Sequence, residues 1–242
     1  MRTFASLLIS TLATALVASS ASAEAVVPRP FSATYAVSFR GIGAGTITFD
    51  FARDAATGHY IYETHASPST LARLFVSKAA MERSVMEIDD SGTRPIEWQL
   101  DDGKSGKEDD GELRFDWSRN LVTGVVEGQP VELTAEAGTQ DRSSIQIAVT
   151  TALLRGVEPG TIPLIDDNRI KRYIYTKKES ATVDSALGKL DTVIYESKRE
   201  GGSSRTSRFW MAPSLEFLPV RAEQIRKGKV ETVMVLQKVD GL

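Results

Sequence analysis

Arg208–Val239 reads RFWMAPSLEFLPVRAEQIRKGKVETVMVLQKV. Two apolar runs flank Lys227-Gly228, and glycine at the second loop position suits a tight primed turn. With those two residues as the loop, Arg226 faces Lys229, Ala222 faces Val233 and Val220 faces Val235. Alternation puts Val220, Ala222, Val233 and Val235 on one wholly buried face. The other face is mixed, with Arg221, Glu223, Thr232, Ile225, Val230 and Met234. This predicts an antiparallel hairpin. Upstream, Pro213 ends a strand through Phe209-Trp210-Met211, and Pro219 opens the next where its missing N–H does least harm.

The same two-residue period recurs at the other end of the chain. Phe31, Ala33, Tyr35, Val37 and Phe39 point one way and Ser32, Thr34 and Ser38 the other, as a half-buried strand requires. Gly41 to Gly45 permits a turn or bulge. Ile47, Phe49 and Phe51 then alternate with Thr46, Thr48 and Asp50, and His59–Thr64 is a third strand after the turn at Ala56-Thr57-Gly58. A short helix is expected over Thr70–Val76. Further strands are predicted over Ser77–Ile88, Thr93–Leu100, Glu112–Trp117, Leu121–Val126 and Pro130–Leu133.

The clearest helix pattern is Arg142–Arg155, where Ile145, Ala148, Val149, Ala152 and Leu153 form one apolar stripe. Asp141 suits its N-cap and Gly156 its C′ position. Pro159 and Pro163 mark Gly156–Asn168 as a linker. Strands follow over Ile170–Lys177, Ala181–Leu187, Leu190–Ser197 and Arg205–Met211. A flat sheet of a dozen or so strands would curl. The expected fold is therefore mainly β: a single strongly curved antiparallel sheet or incomplete barrel, with one main α-helix (141–155) packed on it.

Residues 1–23 have the form of a cleaved signal peptide: Arg2, an apolar Phe4–Val17 and the small-x-small site Ala21-Ser22-Ala23. Residues 24–242 are then one β-rich exported domain, most simply periplasmic. No Cys follows the apolar run, so lipid attachment by the bacterial lipoprotein route is not expected; zero Cys also means no disulfide and no thiolate metal site. No later run is apolar enough for a transmembrane helix. The net charge of −3 argues against a nucleic-acid partner, which needs a basic footprint.

Residues for chemistry are sparse. His59 and His65, the two histidines, sit about 20 Å apart at the ends of one strand, too far to share a metal. No Gly-x-Ser-x-Gly elbow occurs. Asp101, Asp102, Glu108, Asp109 and Asp110 lack calcium-loop spacing and read as a solvated hairpin tip. Arg199, Arg205, Arg208 and Arg221 are candidates for an anion site. No cofactor or metal is called for, and a non-catalytic protein is expected.

Several segments together resemble the DUF3108 family, exported bacterial proteins with a domain of unknown function. They are Tyr35 through Gly41 with Gly45, Phe115-Asp116-Trp117, Asp141 with Ser144, Gly188 with Asp191 and Thr192, and Trp210, Ala212, Pro213 and Pro219-Val220-Arg221. The resemblance covers nearly all of the chain after residue 23. It implies one β-rich domain in the cell envelope and transfers no catalytic residue.

A curved sheet with a helix against its hollow can hold an apolar envelope molecule such as a lipid. The candidate ligand-binding residues are Phe31, Tyr35, Phe39, Phe49, Phe51, Arg208, Trp210 and Arg221. The same aromatics would equally fill a dry core. Two other functions stay open: an envelope structural or assembly factor contacting other proteins through exposed strand edges, and a hydrolase of envelope polysaccharide. The condition of the concave face separates them.

Overall fold

A computed structural model describes residues 26–70, 80–103 and 110–242. Residues 1–25, with the expected signal peptide (1–23), and most of the expected helix over Thr70–Val76 lie outside the described residues, as do Glu108 and Asp109. The described residues form one 14-stranded antiparallel sheet and one α-helix. In chain order the strands are β1 (Phe31–Phe39), β2 (Ile42–Arg53), β3 (Tyr60–Pro68), β4 (Met81–Asp89), β5 (Gly92–Asp101), β6 (Gly111–Asp116), β7 (Leu121–Val126) and β8 (Gln129–Thr134). Helix α1 (Ser144–Leu154) follows. Then come β9 (Thr161–Asp166), β10 (Arg169–Ser185), β11 (Gly188–Arg199), β12 (Arg205–Ala212), β13 (Leu218–Arg226) and β14 (Lys229–Asp240).

Every strand pairs with its neighbours in sequence except at one place, the step from β8 to β9 that contains the helix. The first and last strands, β1 and β14, pair side by side in the middle of the sheet. The sheet's two edges, β8 and β9, are therefore the two strands that flank the helix. Side chains bridge the seam between them: Ile165 of β9 belongs to a buried cluster with Trp98, Leu113, Phe115, Val122 and Val131 from β5–β8. The sheet curls almost to a barrel without closing its hydrogen-bond ladder.

The helix occupies the hollow, so it is buried on more than the predicted stripe. Ile145, Val149 and Leu153 of that stripe are buried, but so are Ile147, Thr150 and Thr151. Gly156 takes φ +71 and its N–H donates to Leu153 O at 3.0 Å, the expected C-terminal stop.

Three expectations require correction. The loop Lys227-Gly228 and the pair Arg226↔Lys229 are as predicted, but a bulge at Glu231 shifts the rest of β14 by one residue. Ala222 thus faces Met234 and Glu223 faces Val233, and the valines at 233 and 235 are half-buried rather than wholly buried. One extra residue reverses which face each later side chain takes. The linker Gly156–Asn168 contains β9. Pro163 is tolerated there because β9 is an edge: its carbonyl accepts from Gln140 N at 2.8 Å, and its missing N–H interrupts no central ladder. The strands expected over Ile170–Lys177 and Ala181–Leu187 are one strand, β10, which ends at Ser185 and is kinked by an irregularity between Lys177 and Ser180 rather than interrupted.

Candidate functional site

The curl leaves a cavity of about 370 Å³ between α1 and the strands around the β1–β14 pair. Its apolar wall comes from Tyr35, Phe49, Tyr62, Phe209, Leu218 and Met234, with Ile145 projecting from the helix. The tyrosine hydroxyls at this wall are used internally. Tyr35 OH donates to Pro219 O at 2.7 Å, and Tyr62 OH donates to Gln146 Oε1 at 3.1 Å. Burial pushes both phenols well above their ordinary range, so they present ring faces and no charge. A further void of about 40 Å³ runs between α1 and Phe31 and shares Tyr62, Tyr175 and Phe209 with the larger one.

The other side of the cavity is polar. Ser197, Ser207, Gln224 and Thr232 face one another across four adjacent strands. Gln224 Nε2 donates to Ser207 Oγ at 3.2 Å. Nearby, Asp166 Oδ2 accepts from Tyr173 OH at 3.0 Å and from Lys171 Nζ at 2.7 Å, with Arg142 beside it. Burial, then the charge of Asp166, raises Tyr173 to about 12. The cavity therefore joins an aromatic, uncharged wall to a row of hydroxyl and amide groups, with Arg142, Asp166 and Glu223 also in its lining, an arrangement suited to an amphipathic guest.

The sequence candidates divide into three groups. Tyr35 and Phe49 line the cavity. Phe31 borders only the smaller void, and Phe51 is packed away against Phe31 at 5.8 Å and Tyr60 at 5.5 Å. Phe39 lies at the rim, 47% exposed, with the Arg40 guanidinium 5.0 Å above its ring.

Arg208, Trp210 and Arg221 do not line the cavity. They alternate with Phe209 and Ala222, which do, and so take the outer face. There Trp210 lies near both guanidiniums, at 5.8 and 5.4 Å. Arg208 donates to Glu196 at 2.6 Å and Arg221 to Glu223 at 2.7 Å. The four candidate anion-site arginines are thus split, with Arg199 and Arg205 at the rim instead. The polar row and Phe209, Met234 and Tyr175 were missed. The period-2 pattern held the signal, but assigning a face needed the bulge at Glu231.

His59 and His65 are separate surface residues, 3.6 Å from Glu87 and 3.8 Å from Glu63 respectively. Neither lines the cavity. Asp101, Asp102 and Asp110 bring carboxylate oxygens within 4.8 Å of one another at the base of the β5–β6 hairpin, where Asp110 accepts from Asp102 N at 3.1 Å. Two carboxylates, half-buried Glu82 of β4 and fully buried Asp141, lie near the start of α1. Glu82 accepts from Trp98 Nε1 at 2.6 Å, and Asp141 accepts from Ser84 Oγ at 2.7 Å. Burial raises both, Asp141 to about 6. Their partners hold them as structural anchors of the helix.

The family model described as "Protein of unknown function (DUF3108)" matches residues 34–235. A β-barrel-like protein of the domain family of unknown function DUF1849, from Brucella abortus, is similar at TM-score 0.54 and 12% identity, covering 90% of this chain and 100% of that one. At such identity the likeness is one of fold. A candidate lipoprotein from Parabacteroides distasonis is similar at TM-score 0.38 and 9% identity, covering 88% and 97% of the two chains. A candidate exported protein with a YmcC-like fold from Bacteroides fragilis is similar at TM-score 0.36 and 9% identity, covering 90% and 100%. These last two are too distant to carry an argument. No curated protein matches the chain.

Proposed function

The chain belongs to the DUF3108 family, and we propose that it is a non-catalytic binding protein of the bacterial cell envelope that takes the apolar chain of a lipid-like molecule into its cavity. The observation that carries this reading is the open space of about 370 Å³ beside an aromatic wall. Ligand pockets begin at roughly 300 Å³ and combine apolar walls with a few polar groups. Tyr35, Phe49, Phe209 and Met234 would contact the apolar chain, and Ser207 and Gln224 the polar end. The leader-like segment before residue 24 supports export to the periplasm.

The test is binding of 11-(dansylamino)undecanoic acid, whose fluorescence rises in an apolar site, to wild-type protein and to Ala222→Trp. Ala222 lines the cavity and pairs with Phe209 and Met234, so the indole fills the space. Binding should fall at least about tenfold. No uptake by the wild type, together with no co-purifying lipid in native mass spectrometry, would overturn the proposal. Assembly through strand edges has weaker support. The edges β8 and β9 approach each other at the seam, and Gln140 already occupies part of β9.

A further inference from the structure

We propose that one half of the rim of the curled sheet docks on a bilayer of anionic phospholipids. The rim in question is made by three hairpin ends: β1–β2, β11–β12 and β13–β14. They are tied to one another through the backbone. Arg40 N donates to Glu231 O at 2.6 Å, and Lys227 N donates to Ser204 O at 2.8 Å. The three tips thus form one hydrogen-bonded edge.

That edge concentrates positive charge on a chain whose net charge is −3. Arg40, Arg199, Arg205, Arg226, Lys227 and Lys229 are all exposed there. The acids among them are Glu231, whose carboxylate is held by Arg40 at 2.7 Å, and Glu200. The charges of Arg40, Arg226 and Arg205 keep Glu231 below the ordinary glutamate range, the hydrogen bond from Arg40 contributing most. Exposed apolar side chains stand among the cations: Phe39 at 47%, Ile42 at 63% and Val230 at 45% exposure. Phe39 and Ile42 are directly paired. Mixed basic and apolar side chains at one edge suit an anionic interface, where cations meet phosphates and rings enter the headgroup layer.

Among the described residues, the β5–β6 and β7–β8 ends of the rim carry the acids Asp101, Asp102, Asp110 and Glu127, the last paired with Arg142. An anionic surface attracts one half and repels the other, which fixes the protein's tilt. The basic half is also the one beside the cavity. Arg199, Arg205 and Arg226 lie two residues beyond Ser197, Ser207 and Gln224, and by strand alternation share their face. Docking on this edge would bring the polar side of the cavity up to the lipid headgroups.

The experiment is co-sedimentation of the exported chain with vesicles of phosphatidylethanolamine and phosphatidylglycerol, and separately of phosphatidylcholine alone. Binding is expected to the phosphatidylglycerol vesicles only and to be lost in high salt. The triple variant Arg226→Glu, Lys227→Glu, Lys229→Glu should weaken it at least about tenfold, with circular dichroism and melting temperature unchanged. Phe39→Ser with Ile42→Ser should weaken it several-fold while preserving its salt dependence. Equal binding to phosphatidylcholine, no binding to either vesicle, or undiminished binding by the triple variant would overturn the proposal. Release by millimolar inorganic phosphate at constant ionic strength would also overturn it, by identifying a simple anion site. Ala222→Trp, which fills the cavity, should still sediment with the vesicles, so docking and ligand uptake fail or succeed separately.

Discussion

Ser84 Oγ donates to Asp141 Oδ2 at 2.7 Å, joining β4 to the start of α1. The other carboxylate oxygen of Asp141 accepts from Ser143 N and Ser144 N, both at 2.8 Å. The N-cap position itself is Ser143 rather than the expected Asp141; Asp141, two residues earlier, takes the first free amides of the helix and fastens it to the inner face of the sheet. Because α1 forms one wall of the cavity, this contact also sets the cavity's shape. Asp141→Ala would leave two amide donors and a hydroxyl buried without an acceptor. It should cost roughly 2–4 kcal/mol in urea unfolding, and Ser84→Ala less, about 1 kcal/mol. Equal, small losses in both would contradict the anchoring role.

The same carboxylate makes stability depend on pH. Burial raises Asp141 to about 6, against the amides and Ser84, which favour its charged form. An unfolded aspartate titrates near pH ~3.9. Between those values the folded state holds the proton and the unfolded state does not. Stability from this group is therefore fully present below pH ~4 and declines as pH rises towards about 6, by at most about 3 kcal/mol. Other carboxylates, such as Asp166 and Glu231, are shifted down and act in the opposite direction. The difference between wild type and Asp141→Asn, measured by urea melts from pH 4 to 7, isolates the contribution. A difference that does not change across that range would refute it.

Gly45 and Gly41 should respond differently to alanine. Gly45 sits at a bulge in β2 with φ +135, and a Cβ there would lie 2.3 Å from Ser67 O. Gly41 has φ +82 in a turn with open space around it. Gly41→Ala should cost about 1–2 kcal/mol from backbone conformation alone. Gly45→Ala adds a collision with the β3 backbone and should cost roughly 2–4 kcal/mol. Denaturant midpoints of the two variants provide the comparison, and a smaller loss at Gly45 would count against the close approach.

Arg208→Ala removes the outer-face pair with Glu196 and one cation beside Trp210. The pair is partly exposed, so the expected loss is at most about 1 kcal/mol. Binding of the dansylated fatty acid should be unchanged, since Arg208 does not line the cavity. A tenfold loss of probe affinity would return Arg208 to the binding site.

Much of the architecture is written in local pattern. The alternation of Phe31 to Phe39 marks β1 to its last residue. Lys227-Gly228 marks the final turn, and Gly156 marks the helix end. These features depend on backbone preferences and on side chains within a few positions of one another. β9 was hidden because Pro163 argues against a strand unless that strand is an edge, and edge position is a property of the whole sheet. The site was partly hidden for a related reason. Tyr35 and Phe49 follow from alternation, whereas the positions of Met234 and Thr232 depend on the bulge at Glu231.

The amino-acid sequence by itself determined a curved antiparallel sheet with one helix, since period and turn chemistry act over a few residues. Tertiary structure decided that β1 pairs with β14, that the helix lies inside the hollow without filling it, and that Arg199 and Arg205 part company with Arg208 and Arg221. Those outcomes depend on how fourteen strands curl and where bulges reverse their faces, and no short stretch of sequence contains that sum.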